Sequence, residues 1–224
     1  DASGKYVIPG AIDVHTHMEL PFGGTFAKDT FETGTRAAAF GGTTTIVDFA
    51  VQSRGKTLRE GLDAWHAKAQ GNAVIDYGYH LIVSDPTEQV LGQELPALIR
   101  DGFTSFKVYM TYERLRLSDH QMLEVLALAR REGALVMVHA ENEDMIRWLS
   151  ERLVAGGRRA PKYHAVSHAR LAESEATHRA VAANHLPRSL GAFAWRFNRR
   201  FQLKTIHERL AIAAAATPPT PYHL

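Results

Sequence analysis

Two histidines two residues apart are the first side chains in this sequence that could hold a metal ion. The segment Asp13-Val14-His15-Thr16-His17 ends an apolar, β-rich stretch. Because side chains alternate across a strand, Asp13, His15 and His17 share one face, and the two imidazoles can converge on one ion. Two polar residues that merely leave a strand would look the same, so the metal interpretation needs further donors.

Lys107 is the second residue of interest, within the stretch SFKVYM over residues 105–110. Phe106, Val108 and Met110 alternate as one apolar face, so Lys107 must point to the opposite side of the strand. Burial lowers the pKa of a lysine and leaves a nucleophilic amine. Such an amine can take up CO₂ to form a carbamate, an anionic two-oxygen ligand that can bridge two metal ions. The ordinary alternative is a lysine that forms a salt bridge at a strand end.

His139 ends another strand-like stretch, LVMVH, and becomes informative only together with the other donors. His15, His17, Lys107 and His139 all occupy inward positions on three predicted strands. This joint pattern favours a metal site over separate structural roles. The sequence contains no cysteine, so thiolate ligands are excluded and a metal must be held by histidine, carboxylate or a less usual ligand.

The elements that would position these residues alternate between strand and helix. Strand patterns cover residues 6–17, 43–49, 74–83, 105–110 and 135–139, and helical patterns follow each of them. Such alternation predicts βαβ units with a parallel sheet, here a TIM-like (β/α)₈ barrel. A complete barrel takes about 250 residues and eight strands. We therefore predict a partial barrel of about five βα units over residues 1–183.

Composition excludes several classes of protein. The chain is 45% hydrophobic with a formal net charge of +2, as in ordinary globular proteins, and nothing in its charge indicates a nucleic-acid partner. No apolar run approaches the ~20 residues that a membrane span needs, and no signal-peptide pattern opens the sequence. With no cysteine, a cytoplasmic location is expected.

Three motifs then carry a resemblance to a known family. The segments VIPGAIDVHTHMELPFGGT (7–25), FKVYMTY (106–112) and HAENED (139–144) resemble the dihydropyrimidinase/D-hydantoinase branch of the amidohydrolase superfamily. The segments PKYHAVS and EATHRA extend the likeness to about residue 182. The resemblance implies a metal-dependent hydrolase that opens a hydantoin or dihydropyrimidine ring and yields an N-carbamoyl amino acid.

The resemblance also implies a role for each donor. His15 and His17 would bind the more buried of two zinc ions, His139 the more exposed one, and Lys107, carbamylated by CO₂, would bridge both. Tyr112 would hydrogen-bond the substrate carbonyl and its developing oxyanion. Manganese or cobalt could replace zinc. Three further residues would shape the pocket for the ring's substituent: Leu20, Phe22 and Tyr109.

Several parts that the family uses have no counterpart in this sequence. These are a further metal-binding histidine after strand six, a proton-shuttling aspartate after strand eight and most of an accompanying β-sandwich. We therefore expect the 224-residue chain alone to be inactive, with apolar surface exposed where strands six to eight would dock. Residues 184–224 are expected to be a poorly ordered tail outside the family, produced by truncation or a frameshift. The resemblance further implies a small cyclic amide as substrate and a homodimer or homotetramer.

Alternative functions differ in how well the residues exclude them. A dihydroorotase would carry an arginine shortly after its His-x-His pair, whereas Met18-Glu19-Leu20-Pro21 follows here, so an anionic ring is disfavoured. An allantoinase-like hydrolase of cyclic ureides stays open. A non-catalytic scaffold related to dihydropyrimidinase is the third alternative, and metal analysis would separate it from an enzyme.

Overall fold

A parallel β-sheet organises the part of the chain that the structure describes. The computed structural model describes residues 1–183, and the predicted tail over 184–224 lies outside that range. Residues Asp1–Ala180 form one compact unit. The sheet has five strands, all parallel to their neighbours: β1 (Ala11–Thr16), β4 (Thr43–Val51), β5 (Asp76–Ile82), β6 (Ser105–Tyr109) and β7 (Leu135–His139).

The strands lie in the sheet in the same order as in the chain. The spatial order is β1-β4-β5-β6-β7, and β2 (Pro21–Phe22) and β3 (Thr25–Phe26) form a separate antiparallel hairpin. A doubly wound open sheet would reverse direction at a switch point, whereas a barrel adds each strand on the same side of the last. The predicted partial barrel of five βα units is confirmed.

Helices connect or follow the strands as the sequence predicts. They are α1 (Phe31–Phe40), α2 (Leu58–Ala69), α3 (Leu95–Arg100), α4 (Asp119–Glu132), α5 (Glu143–Ala155), α6 (His164–Ser167) and α7 (Arg170–Ala183). Capping boxes begin three of them, at Thr30, Thr57 and Ser118, where the side chain accepts from the backbone three residues on. Over the described residues, no helix combines the length and the apolar character that a membrane span requires.

Several strand ends shift by one or two residues from the sequence prediction, and two larger differences have an identifiable cause. The first strand begins at Ala11 instead of residue 6, because Pro9 cannot donate to a ladder and β4 offers its first partner, Thr43, opposite Ala11. The helical pattern after the third predicted strand forms a π-helical turn, Val90–Glu94, and then α3, instead of one continuous α-helix. Pro96 explains the division, since its ring would clash with the carbonyl four residues earlier in a regular α-helix.

Apolar side chains pack on both faces of the sheet. The main core lies between the sheet and the helices and includes Phe106, Val108 and Met110 from β6 and the residue after it, as the alternation predicts. A smaller inner cluster on the opposite face joins Phe49 and Ile82 to Tyr109. Lys107 shares the inner face, so its predicted direction is correct.

The two outermost strands expose apolar side chains. Ile12 and Val14 on β1 are 63% and 57% exposed, and Leu135 on β7 is 57% exposed. Within residues 1–183, β1 and β7 each pair with a strand on one side only. These exposed residues agree with the expectation that further elements would cover the sheet edges.

Gly61 allows α2 to pack directly on the end of β4. A Cβ atom at Gly61 would lie 2.6 Å from the carbonyl oxygen of Val51, which is backbone and cannot rotate away. We expect Gly61→Ala to lower the free energy of unfolding by about 1–3 kcal/mol, measured by urea denaturation. Gly92→Ala is the control, because nothing lies within 4 Å of a Cβ there. Equal effects of the two substitutions would contradict the packing argument.

Candidate active site

His15 and His17 lie together at the carboxyl end of β1. Their ring centroids are 5.1 Å apart, and both rings rest on Phe49 of β4, at 4.7 and 4.9 Å. His17 lies just beyond the end of β1, after an irregular register between Asp13 and Thr16. Desolvation is the main cause that lowers the pKa of each imidazole, followed by Lys107 for His15 and by His15 for His17. Both rings are thus favoured as neutral bases, the form that ligates metal.

Lys107 lies at the centre of the site. Its side chain is buried, and Nζ lies 5.8 Å from the ring centroid of Phe49 and 5.5 Å from that of Tyr109. Within residues 1–183 it forms no ion pair. Desolvation by burial lowers the pKa of its ammonium. The amine is therefore biased towards the neutral, nucleophilic form that carbamate formation needs.

His139 and Tyr112 complete the group on the far side of Lys107. The imidazole of His139 stacks on Tyr109 at 5.4 Å and lies 5.2 Å from the ring of Tyr112. Nε2 of His139 is 2.7 Å from Oε2 of Glu141, so a carboxylate orients the ring, as carboxylates commonly orient metal-binding histidines. Burial raises the pKa of Tyr112, with Glu141 and Glu143 adding to the shift, so its hydroxyl stays a proton donor.

The three predicted pocket residues have different surroundings. Phe22 extends from the β2–β3 hairpin and meets Tyr112 edge-to-face at 5.1 Å. Gly23 and Gly24 allow this approach, because both adopt the positive φ of a tight two-residue turn. Tyr109 is buried beside Lys107, and burial raises its pKa to about 12. Leu20 packs against the main core instead, so its contact with a substrate stays a prediction.

Asp48 is a supporting residue that the sequence analysis missed. Its fully buried carboxylate accepts hydrogen bonds from the Thr16 hydroxyl (2.9 Å), the Met18 amide (2.8 Å) and the Trp65 indole (2.9 Å). The amide of the next residue, Phe49, donates a further bond. Thr16 and Met18 flank His17, so Asp48 fixes the backbone that carries this histidine. A charged residue within the apolar stretch TTTIVDF was the available signal.

His80 and Glu143 were also missed as parts of the site. Nε2 of His80 lies 3.0 Å from the carbonyl oxygen of Val14, and Nδ1 lies 2.6 Å from the Ser105 hydroxyl, so the imidazole joins β1 to β6 beneath Lys107. Glu143, at the start of α5, binds the loop that carries Tyr112. Both lie within stretches that the sequence analysis had quoted or placed on a strand.

The residues suit a metal centre whose ligands this part of the chain supplies incompletely. Over residues 1–183, no three histidine or carboxylate side chains converge closely enough to hold an ion by themselves. Lys107 stands between the His15–His17 pair and His139, and an unmodified ammonium cannot ligate a cation. Nδ1 of His17 is buried without a hydrogen-bond partner in the described region, which is the condition of a nitrogen reserved for a ligand.

Comparison with known proteins identifies the family. A model described as the amidohydrolase family matches residues 6–189. The chain belongs to the amidohydrolase family. Within it, the D-hydantoinase of Streptomyces coelicolor is 58% identical over 182 residues, and that of Geobacillus stearothermophilus is 50% identical over 188. These relatives place the chain in the D-hydantoinase/dihydropyrimidinase branch.

Solved structures of amidohydrolases share the fold. The crystal structure of dihydropyrimidinase from Brevibacillus agri matches with a TM-score of 0.75 and 49% identity, over 78% of this chain and 38% of that one. The alignments with the two hydantoinases cover 81% and 83% of this chain but 39% and 40% of those proteins. The chain thus spans about two fifths of the length of the curated relatives it matches, as a partial barrel should.

Proposed function

We propose that this amidohydrolase chain is the part of a cyclic-amide hydrolase that carries most of its metal donors. The complete enzyme would open a hydantoin or dihydropyrimidine ring and release an N-carbamoyl amino acid. One observation carries the proposal: shared contacts with Phe49 and Tyr109 link a set of five candidate residues, in a chain 58% identical over 182 residues to a D-hydantoinase. The five residues are His15, His17, Lys107, His139 and Tyr112.

The reaction adds water to a ring amide. The oxygen of water bonds to the carbonyl carbon, the C–N bond breaks, and the ring nitrogen leaves with a proton. Tyr112 suits the carbonyl oxygen, because its protonated hydroxyl can donate to the negative charge that develops there. Phe22 and Tyr109 flank Tyr112 and would exclude water from one side of the ring.

A binuclear zinc centre is part of the proposal. His15 and His17 would hold one ion, His139 the other, and Lys107, carbamylated by CO₂, would bridge them. Bound metal supplies Lewis acidity, which polarises the carbonyl and lowers the pKa of water to about 7. Among residues 1–183, Nδ1 of His17 has no hydrogen-bond partner and the amine of Lys107 has no ion-pair partner, and both observations support this assignment.

The remaining proposals concern the chain's context. The resemblance leaves the family's further metal-binding histidine and its proton-shuttling aspartate without a counterpart in this sequence, so we propose that the 224-residue chain alone is inactive. We also propose a homodimer or homotetramer for the complete enzyme and, from the absence of cysteine, a cytoplasmic location.

A chimeric enzyme tests the proposed activity. Residues 6–183 of this chain would replace the matching segment of the Streptomyces coelicolor D-hydantoinase, which supplies the rest of the protein. We expect zinc-dependent hydrolysis of hydantoin and dihydrouracil, and Tyr112→Phe should lower kcat by about 10²–10³-fold. A folded, zinc-loaded chimera that hydrolyses only allantoin, or nothing, would refute the proposal.

The isolated chain provides the complementary measurement. We expect the 224 residues alone to show no turnover with either ring. Zinc-dependent turnover that Lys107→Ala abolishes would overturn the proposed inactivity while supporting the site.

A further inference from the structure

Tyr112 has an unusual backbone conformation for its residue type. Its φ is 66°, in the left-handed region that favours glycine, and it is one of two non-glycine residues in the described range with positive φ. A residue held there costs free energy, and the conformation persists only where its surroundings enforce it. Something near Tyr112 must therefore hold this conformation.

Glu143 makes the contacts that can hold it. Its Oε2 accepts a hydrogen bond from the Tyr112 amide at 2.9 Å and another from the Thr111 hydroxyl at 2.6 Å. Hydrogen bonds to an ionised carboxylate are roughly twice as strong as neutral ones. One carboxylate oxygen thus restrains two successive residues, immediately after β6.

Helix capping does not explain this use of Glu143. Glu143 is the first residue of α5, but Asn142 caps that helix by accepting from the Met145 amide at 3.0 Å. The carboxylate of Glu143 turns away from its own helix towards the neighbouring loop. Its partners lie 31 and 32 residues earlier in the chain, so the contact is a tertiary one.

The contact connects the two strands that carry the far side of the site. Glu143 follows His139 by four residues, whereas Tyr112 follows β6. The Tyr112 and His139 rings are 5.2 Å apart. A second connection holds the next part of the same loop: Arg54 donates to the carbonyl oxygens of Arg114 and Arg116 at 3.0 and 2.8 Å. Of the two, only the Glu143 bond reaches the backbone of Tyr112 itself.

We infer that Glu143 is a positioning residue that sets where the Tyr112 hydroxyl lies relative to His139. The catalytic consequence of this inference rests on the proposed function. The structural part, that Glu143 holds the backbone of Tyr112, does not. The Leu115 and Arg116 amides donate to the Tyr112 carbonyl oxygen at 2.7 and 2.8 Å, but they restrain only the carbonyl side of this residue. Without the carboxylate, the amide side of Tyr112 would lose its restraint, and its ring would lose its fixed place beside His139. Glu143 itself touches no substrate in this scheme.

Hydrogen exchange of the 224-residue chain, resolved to single amides by NMR, tests whether Glu143 holds the backbone of Tyr112. We expect Glu143→Gln to accelerate exchange of the Tyr112 amide about tenfold, and Glu143→Ala somewhat more, through loss of the charge-assisted bond. The Gln121 amide, which the Ser118 side chain caps in α4, should not change. Glu151→Gln is the matched control on α5, since Glu151 is exposed.

The chimeric enzyme tests the catalytic consequence separately. There Glu143→Gln should lower kcat by about 10-fold or more with little change in KM, because a misplaced Tyr112 weakens stabilisation of the transition state and not substrate binding. Unchanged exchange at Tyr112 in both Glu143 variants would overturn the inference. If exchange at Tyr112 accelerates in the 224-residue chain while the unsubstituted chimera shows no activity, the positioning role is supported and only the proposed function is refuted.

Discussion

Replacing Lys107 by methionine is expected to stabilise the metal-free chain and, at the same time, to abolish the proposed metal centre. Lys107 is buried beside Phe49 and Tyr109, and it has no ion-pair partner among residues 1–183. A methionine keeps the length of the side chain and removes the charge that burial disfavours. We expect the free energy of unfolding at pH 7 to rise by about 1–3 kcal/mol in urea denaturation.

The pH dependence of this gain has a definite sign. Burial lowers the pKa of Lys107 in the folded chain below its ordinary value of 10.5. Between the folded and unfolded pKa values, the unfolded chain binds the proton and the folded chain does not, so this lysine's contribution to stability rises with pH. The advantage of Lys107→Met over the wild type should therefore shrink across this window and disappear above it.

Zinc binding should change in the opposite direction to stability. In the chimeric enzyme, Lys107→Met is expected to weaken zinc binding by more than the ~10–100-fold that loss of an outer-shell partner costs. Lys28→Met is the control, because Lys28 is exposed and its loss should change stability by no more than about 0.5 kcal/mol. A destabilised Lys107→Met chain that still retained zinc would contradict both the burial argument and the proposed bridging role.

Loss of the Asp48 carboxylate is expected to have the largest effect on stability. Asp48→Ala would leave the Met18 amide and the Trp65 indole buried without an acceptor. Each unsatisfied buried donor costs about 1–3 kcal/mol, so we expect the free energy of unfolding to fall by about 3–5 kcal/mol. Because single domains are stable by only about 5–15 kcal/mol, part of the population would unfold at room temperature.

Matched variants separate the hydrogen bonds of Asp48 from a general effect of charge. Asp48→Asn keeps the volume and one acceptor oxygen, so its cost should fall between those of alanine and the wild type. Asp63→Ala, at an exposed position of α2, should change the free energy of unfolding by no more than about 0.5 kcal/mol. A cost below about 1 kcal/mol for Asp48→Ala would show that water or another acceptor replaces the carboxylate.

The sequence predicts the strands and the direction of Lys107 because both depend on local periodicity. Residues 105–110 alternate, and alternation alone assigns Lys107 to the face opposite Phe106. The irregular register of β1 was not predictable in this way. It depends on how Thr16 reaches the carboxylate of Asp48, 32 residues later.

The two carboxylates that support the site through hydrogen bonds, Asp48 and Glu143, could not be predicted from the spacing of residues in the sequence. Asp48 accepts hydrogen bonds from side chains of β1 and α2, and Glu143 accepts hydrogen bonds from residues 111 and 112. A single sequence gives no indication of which distant donors will surround a buried carboxylate. Candidate metal donors were easier to propose because chemistry restricts them to a few residue types, whereas hydrogen bonds to a carboxylate can come from any backbone amide.

The order of strands in the sheet has a consequence for how the protein is made. Each strand pairs with the one synthesised just before it, apart from the short hairpin, so every βα unit can dock on an existing surface as it leaves the ribosome. The proposed metal donors then appear in sequence: His15 and His17 with the first strand of the sheet, Lys107 three strands later, and His139 on the strand after that. We expect capture of the proposed zinc ions to be a late event in biosynthesis, after translation has passed the fifth strand of the sheet.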